Sequence, residues 1–177
     1  MTLIVDAGPG DAAAVAHIHA TSWKTTYRGI LPDSYLDNQA DDERAAYWQA
    51  ALQDQRYAIV KLACVSEKFV GLIALRKDSG DKGYDFTIEH LHLLPEHRGQ
   101  GLGRDLLRAG AEAARGEGAA SLCLWVFEAN TAAIGFYERL GGVTDAHGVD
   151  KFAGSDAPDR RIGWHSLDTL IARCRDR

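Results

Sequence analysis

The stretch of sequence that decides the fold is Leu91–Arg104, which reads LHLLPEHRGQGLGR. An apolar, strand-like run ends at Pro95, and Gly99, Gly101 and Gly103 follow before a helical pattern begins. Glycine permits a tight turn and the close approach of a ligand to the backbone, because it carries no Cβ. The start of the helix adds free N–H groups and the positive end of the helix dipole. This order of strand, glycine turn and helix predicts a phosphate-binding loop.

Length and composition predict an ordinary globular protein. The 177 residues fit one domain spanning residues 1–177, with 46% hydrophobic and 25% charged residues. The net charge of −5 without a basic stripe disfavours a nucleic acid partner and leaves room for a cationic small molecule. The N-terminal apolar run is too short for a signal peptide or a membrane span, and the three cysteines lack metal-ligand spacing. We therefore expect a cytoplasmic protein with no membrane partner.

The elements around the loop predict the α/β class, with a mixed sheet and helices on both of its faces. Helical patterns cover residues 12–23, 41–52, 101–117 and 130–140, with a short tail helix over 167–177. Strand patterns cover residues 2–5, 57–65, 69–75, 85–94, 121–127, 143–149 and 161–166. The aromatic and polar stretch 23–32 is expected to be a loop.

Two common phosphate-binding folds do not match this pattern. A P-loop nucleotide hydrolase needs Lys and Ser or Thr after the glycines, whereas Arg104 and Asp105 follow Gly103. A Rossmann dinucleotide site places its glycines after the first strand of a parallel βαβ unit, whereas this loop follows several hairpin strands.

The loop resembles the phosphate motif of the GNAT superfamily of acyl-CoA-dependent N-acetyltransferases. That motif, Gln/Arg-x-x-Gly-x-Gly/Ala, is matched by RGQGLG over 98–103, and a second family signature is matched by NTAAIGFYERLG over 130–141. The element order also matches, so the resemblance covers nearly the whole chain. It implies the GNAT fold, with a central, mostly antiparallel sheet of six to seven strands. The stretch 22–29 is similar to a branch that acetylates small amines, including the phosphinothricin-type enzymes.

The resemblance implies acetyl-CoA as co-substrate and no metal. The backbone amides of the loop would hold the pyrophosphate, and Arg98 and Arg104 would add positive charge. Arg104 also fits the alternative role of a solvated helix residue. The edge of the preceding strand would pair with the pantetheine arm, where the strand diverges from the 121–127 strand. A backbone N–H at Leu93 would polarise the thioester carbonyl. The implied coenzyme-binding residues are Leu91, Leu93, Arg98, Gly99, Gln100, Gly101, Leu102, Gly103, Arg104, Asn130 and Phe136.

Two side chains are candidates for moving protons. The acceptor amine must lose a proton before it attacks, and Glu89 is the candidate base because it lies two residues before Leu91, on the same strand face unless a bulge intervenes. The position more often acidic in the family holds Thr87, so Glu89 can instead attract a cationic substrate or form a salt bridge. Tyr137 matches the family tyrosine that protonates the leaving thiolate, although it also lies on the helix stripe expected to face the core.

Aromatic and histidine residues complete the prediction. Trp23 and Tyr27 are expected to line the acceptor pocket, although Trp23 also fits a core role. His90 and His92 share a strand face at a spacing compatible with zinc, but no third ligand is spaced to complete a site, so we expect no metal.

The function expected from these features is acetyl transfer to a primary amine of a small molecule by direct attack in a ternary complex. The alternatives are acetylation of a protein N-terminus or lysine, and a non-catalytic acyl-CoA sensor on the same fold. A homodimer is possible, because strands near the C-terminus are expected to be exposed. The acidic residues that favour a cationic acceptor are Asp78, Asp81, Asp85 and Glu89.

Overall fold

The structure is a computed structural model that describes residues 2–77, 80–152 and 154–176. Asp78, one of the predicted acceptor-attracting residues, lies outside them. The strands are β1 (Thr2–Asp6), β2 (Ile59–Val65), β3 (Lys68–Lys77), β4 (Phe86–Leu93), β5 (Leu122–Phe127), β6 (Val143–Phe152) and β7 (Ser155–Trp164). The helices are α1 (Ala12–Thr26), α2 (Asp33–Asn38), α3 (Ala40–Gln53), α4 (Leu102–Gly116), α5 (Thr131–Arg139) and α6 (Leu167–Arg175).

Within the described residues, the seven strands form one sheet in the order β1-β2-β3-β4-β5-β7-β6. Neighbouring strands are antiparallel except for β4 and β5, which are parallel. This confirms the predicted mostly antiparallel sheet and its strand number.

Helices cover both faces of the sheet, as predicted. One face of the sheet, called the α4 face below, packs against α4, α5 and α6 in a continuous apolar core. Leu106 and Leu107 are fully buried there. Truncating a fully buried leucine such as Leu106 to alanine typically costs about 2–5 kcal/mol of folding free energy. The α1 face packs against α1 and α3, and Trp48 of α3 is fully buried there.

The sequence-based boundaries are wrong in two places. Helix α1 continues to Thr26 and the short helix α2 follows, so the predicted loop over 23–32 is partly helical. Strand β7 begins at Ser155, six residues before its predicted start. Both differences depend on contacts between distant segments: Arg98 binds hydroxyl groups in the last turn of α1, and β7 pairs along its whole length with β6.

Within the part of the chain described, no helix combines the length and apolar character needed to cross a membrane.

Candidate active site

A cleft opens where β4 and β5 diverge. The two strands pair only at Phe86 with Leu122 and at Thr87 with Cys123. Beyond these pairs, the later residues of β4 have no ladder partner on the β5 side among the described residues. Their N–H and C=O groups therefore face the cleft, where an amide-containing chain can add to the sheet edge. Leu91 and Leu93 lie in this part of β4, as predicted.

A β-bulge in β4 changes which side chains point to the α4 face of the sheet and which point to the α1 face. Ala74 pairs with His90 and Leu75 pairs with Ile88, so Glu89 is the extra residue. The bulge reverses the alternation of side chains along the strand. Leu91 and Leu93 pack into the core on the α4 face, whereas Glu89 lies near Arg76 on the other side. The bulge is the exception that the prediction allowed, so Glu89 and Leu91 do not share a face.

Glu89 is a partly shielded carboxylate with a loose ionic partner. Its side chain is 31% exposed, and its Oε1 lies 3.8 Å from Nη1 of Arg76. Burial is the main cause of a raised pKa for Glu89, Arg76 opposes the rise, and the charge of Asp81 adds to it. A carboxylate that holds a proton more readily than usual is better matched to accept one at neutral pH.

Tyr137 lies across the cleft on α5 and is almost fully buried. Its ring packs against Phe136 and against Trp164 of β7, so it does occupy the core face of the helix. Burial raises the pKa of Tyr137, and the nearby hydroxyl of Tyr27 raises it further. Tyr137 therefore keeps its proton at neutral pH, as a donor requires.

The glycine loop leads into α4 with the backbone conformation that its sequence predicts. Gly99 and Gly101 have φ angles of 73° and 85°, in the left-handed region where a side chain is strained. A Cβ on Gly103 would instead make ordinary contacts of 3.6 Å with Leu93 and Phe136. The loop, the cleft strand and α5 therefore meet at one point.

Other predicted coenzyme-binding residues also lie at this junction. Leu102 is buried at the start of α4, and Gln100 donates from Nε2 to the carbonyl of Glu96 at 3.0 Å. Asn130 caps α5 by accepting from the N–H of Ala133 at 3.3 Å.

The two arginines of the loop are placed differently from one another. Arg104 lies beside Gly101 and donates to the backbone carbonyl of Asp176 at 2.9 Å. Arg98 points away from the loop toward α1, where it donates to Thr26 Oγ1 at 3.0 Å. The structure therefore does not place the Arg98 side chain at the predicted pyrophosphate position.

Aromatic side chains cluster at the end of α1, next to β5. Trp23 of α1 and Tyr27, the residue that follows this helix, contact each other, and Tyr27 meets Phe127 of β5 edge to face at 5.2 Å. All three pack against a buried cluster formed by Leu31, Tyr35, Leu36 and Ala40. Trp23 also packs against Phe152 of β6. Burial is the main cause that raises the pKa of Tyr27 to about 12. These contacts fit the alternative core role of Trp23, and the assignment of Trp23 and Tyr27 to an acceptor wall stays a prediction.

Comparison with known proteins identifies this arrangement. Residues 13–142 match the family model described as Acetyltransferase (GNAT) family. The chain belongs to the GNAT acetyltransferase family. It is 29% identical over 177 residues to the uncharacterized N-acetyltransferase YuaI of Bacillus subtilis, covering 96% of each chain. It is 28% identical over 141 residues to the L-methionine sulfoximine/L-methionine sulfone acetyltransferase of Pseudomonas paraeruginosa, covering 78% of each.

A solved structure with a bound coenzyme adds to this comparison. The putative acetyltransferase yncA of Salmonella typhimurium, determined with its cofactor acetyl-CoA, has a TM-score of 0.69 and 26% identity over 95% of each chain. The present chain is accordingly an acyltransferase with acetyl-CoA as co-substrate. The free strand edge and the glycine turn before α4 fit such a molecule, since they offer unpaired amides to its pantetheine arm and phosphates.

Asp81 and Asp85, two of the residues predicted to attract a cationic acceptor, bind other parts of the protein. Asp85 accepts from the N–H groups of Ala120 and Ser121, at 2.8 and 3.0 Å, so it joins β4 to the start of β5. These bonds lower the pKa of Asp85. Asp81 accepts from Trp125 and Thr87, and it lies 3.5 Å from Arg161. Both carboxylates have structural partners, which weakens the prediction that they attract the acceptor.

His90 and His92 share a strand face, as predicted, and His19 of α1 is a third histidine beside them that the sequence did not suggest. One ring nitrogen from each of His19, His90 and His92 lies within 4.8 Å of the others. Burial lowers the pKa of all three, to about 3 for His92, so the rings are neutral. His19 comes from α1, 71 positions before His90 in the chain, and its spacing carried no signal.

A hydrogen bond argues against metal binding by this cluster. Nδ1 of His19 accepts from the indole N–H of Trp48 at 2.8 Å. An indole only donates, so neutral His19 carries its own proton on Nε2. That nitrogen is buried with no hydrogen-bond partner among the described residues, and as an N–H group it offers no lone pair to a metal.

The sequence analysis missed two acidic residues, Asp150 and Asp159, near Tyr27 and Phe127. Asp159 of β7 pairs in register with Phe127, and its Oδ1 is buried with no hydrogen-bond partner among the described residues. Burial and the charge of Asp150 raise the pKa of Asp159. The same Asp150 charge raises the pKa of Tyr27. The alternation of β5, with Trp125 and Phe127 on one face, is the signal that could have indicated this surface.

Proposed function

We propose that this chain moves an acetyl group from acetyl-CoA to the primary amine of a small molecule by direct attack in a ternary complex. The observation that carries the proposal is the bulge at Glu89. It turns a carboxylate toward the α1 face, while Leu91, Leu93 and Tyr137 remain on the α4 face. The cleft thus has a proton acceptor on one side and a proton donor on the other.

The chain's residues have distinct parts in this reaction. Glu89 takes a proton from the ammonium group, whose pKa is about 10 in water, so that the nitrogen has a free electron pair. A C–N bond forms, the C–S bond breaks, and the backbone N–H of Leu93 stabilises the charge that develops on the carbonyl oxygen. Tyr137 donates a proton to the leaving sulfur, and the second proton from the nitrogen restores the tyrosine.

A small cationic acceptor is supported by the surroundings of the cleft. Glu89, Asp150 and Asp159 are acidic, and the buried oxygen of Asp159 has no partner that neutralises it among the described residues. Tyr27 contacts Phe127, the residue that pairs in register with Asp159, so the proposed wall of Trp23 and Tyr27 lies near this carboxylate. The Pseudomonas relative named above acts on a small amino-acid analogue, which favours a small molecule over a protein acceptor.

A panel of acceptors tests this function. The protein is incubated with acetyl-CoA and amino-acid analogues, polyamines, aminoglycosides or short peptides, and release of free thiol is measured. We expect release with at least one small amine and none above background with the peptides. Release with peptides alone would indicate protein acetylation, and tight coenzyme A binding without release would indicate a sensor.

Direct attack is tested separately by mass spectrometry and rapid kinetics. With acetyl-CoA alone, we expect no mass increase of one acetyl group on the protein. A burst of thiol accompanied by that mass increase would show an acetyl-enzyme and contradict the ternary complex.

A further inference from the structure

The side chain of Arg98 connects the coenzyme loop to helix α1. Its Nη2 lies within hydrogen-bond distance of three hydroxyl oxygens, Ser22 Oγ at 3.2 Å, Thr25 Oγ1 at 3.1 Å and Thr26 Oγ1 at 3.0 Å. The carbonyl of Leu93 lies 3.3 Å from the same nitrogen and 3.4 Å from Nε. The two hydrogens of Nη2 are therefore shared among these four acceptors. One guanidinium therefore holds the last turn of α1 to the end of β4.

The contacted turn of α1 is the one that carries the acceptor wall. Trp23 and Tyr27 lie in the same turn as the three hydroxyl groups, and the N–H of Tyr27 donates to the carbonyl of Trp23 at 2.9 Å. A helix C-terminus carries partial negative charge, which stabilises a nearby cation. Arg98 thus provides the cation at the end of α1 and fixes the position of the two aromatic residues.

The backbone of Arg98 belongs to the coenzyme loop. Its N–H donates to the carbonyl of Pro95 at 3.2 Å, and the left-handed Gly99 follows directly. Among the described residues, no carboxylate lies within ion-pair distance of the guanidinium. The backbone of Arg98 lies in the loop and its side chain binds the end of α1. A ligand that orders the loop would for this reason also restrain the helix end.

We propose that Arg98 is a positioning residue that couples an occupied coenzyme loop to an ordered acceptor wall, rather than a ligand of the pyrophosphate. The proposal rests on the proposed function in one respect, the assignment of Trp23 and Tyr27 to the acceptor wall. It explains why a motif arginine points away from its own glycine loop.

Hydrogen exchange with coenzyme A alone tests the coupling without an acceptor. In the wild-type protein, we expect saturating coenzyme A to slow amide exchange both in residues 99–104 and, by about fivefold, in residues 22–27. In Arg98→Ala, coenzyme A should bind with a dissociation constant within about threefold of wild type. Exchange in 99–104 should still slow, whereas exchange in 22–27 should no longer respond. An unchanged response in 22–27 would overturn the proposal.

Two further variants separate coupling from phosphate binding and from misfolding. Arg104→Ala removes the other loop arginine, and at saturating coenzyme A its 22–27 response should be retained. Thr25→Val combined with Thr26→Val removes two acceptors of Arg98 with little change in helix propensity, and it should weaken the 22–27 response even if Arg98→Ala is unstable. A loss of coenzyme A affinity beyond tenfold in Arg98→Ala, with normal affinity in the double variant, would make Arg98 a phosphate ligand and overturn the proposal.

Steady-state kinetics with an amine from the panel provide an independent readout. Arg98→Ala should raise KM for the amine by about tenfold while KM for acetyl-CoA changes less than about threefold. Equal changes in both constants would contradict a role confined to the acceptor wall. The exchange experiment needs no acceptor, so failure of the proposed function and failure of the coupling are distinguishable.

Discussion

The two faces of strand β4 differ in their chemistry. On the α4 face, Leu91 and Leu93 join a continuous apolar core with Tyr137. On the α1 face, His90 and His92 pack against the ring of His19 beside the fully buried Trp48. Strand β4 thus presents apolar side chains on one face and polar side chains on the other. The extra residue at the bulge, Glu89, determines which later residues point to each face.

The difference teaches how one cleft can separate two tasks. On the α4 face, burial raises the pKa of Tyr137, so this proposed acid keeps its proton at neutral pH. On the α1 face, the side chain of Glu89, the proposed base, is 31% exposed, so it can exchange protons with water. Each prediction below changes one side of this cleft.

The largest effect is expected from Tyr137→Phe on the apolar side. Loss of the hydroxyl should lower kcat roughly 100-fold, because a positioned acid contributes at least that much. The dissociation constant for acetyl-CoA should stay within about twofold, and stability within about 0.5 kcal/mol, because the ring still packs against Trp164. Single-turnover kinetics and calorimetry measure these quantities. Tyr84→Phe is the matched control, since Tyr84 bonds to Asp145 away from the cleft, and equal kcat values for the two variants would exclude Tyr137 as the acid.

The next effect concerns the loop that anchors the coenzyme. Gly101→Ala places a side chain at a φ of 85°, so it should weaken coenzyme A binding about tenfold and cost about 1 kcal/mol of stability. Gly103→Ala is the control, because its Cβ would make only 3.6 Å contacts, and its affinity should change less than about threefold. Titration calorimetry with coenzyme A measures both. If the two variants behave alike, the left-handed turn is not what shapes the binding loop.

Much of this fold could be predicted because local and global signals agree. The glycine turn at 99–103 marks the strand-to-helix junction, and the apolar run at 121–127 indicates a buried strand. The short connection between β2 and β3 follows from the strand patterns on either side of it, at 57–65 and 69–75. In each case the conformation that the local sequence favours is also the one that the fold requires at that position.

The features that could not be predicted depend on contacts between distant segments. A bulge adds one residue to a strand, and nothing in the run from Phe86 to Leu93 indicates which residue it is. His19 meets His90 only because α1 packs on the sheet. The orientation of Arg98 depends on hydroxyl groups more than 70 positions earlier in the chain. The bulge and the reach of Arg98 bear directly on which residue does what in the cleft.

A smaller effect on the polar side is expected from Glu89→Gln. As a base, Glu89 must be deprotonated, so the wild-type rate should rise with pH through a raised pKa, and the glutamine variant should lose this acidic limb and about tenfold in kcat. Rates measured across the pH range test this, and a limb that stays in place would assign the base elsewhere. Glu112→Gln on α4, which pairs with Arg108 and Arg175, should leave the profile unchanged.

The same variant has a stability signature with a defined sign. Because the folded-state pKa of Glu89 is raised, its protonated form favours folding, and this stabilisation is lost as pH rises through that pKa. Glu89→Gln should therefore raise Tm slightly at pH 7. It should have little effect near pH 4, where the wild-type side chain is itself protonated. A lower Tm at pH 7 would show that the ion pair with Arg76 outweighs burial.

The smallest effect is expected from Asp85→Asn, which tests whether this carboxylate belongs to the cleft at all. Its bonds to Ala120 and Ser121 lower the pKa of Asp85, so they stabilise the fold above the unfolded-state pKa of about 3.9, and the contribution is lost as pH falls through the lower folded value. Because solvent screens this exposed residue, we expect a loss of about 1 kcal/mol or less at pH 7, shrinking toward about pH 3. Kinetic constants for the amine should stay unchanged. A higher KM for the amine at normal stability would instead show that Asp85 contributes to the acceptor site. The polar face of β4 would then include Asp85, the residue immediately before the strand.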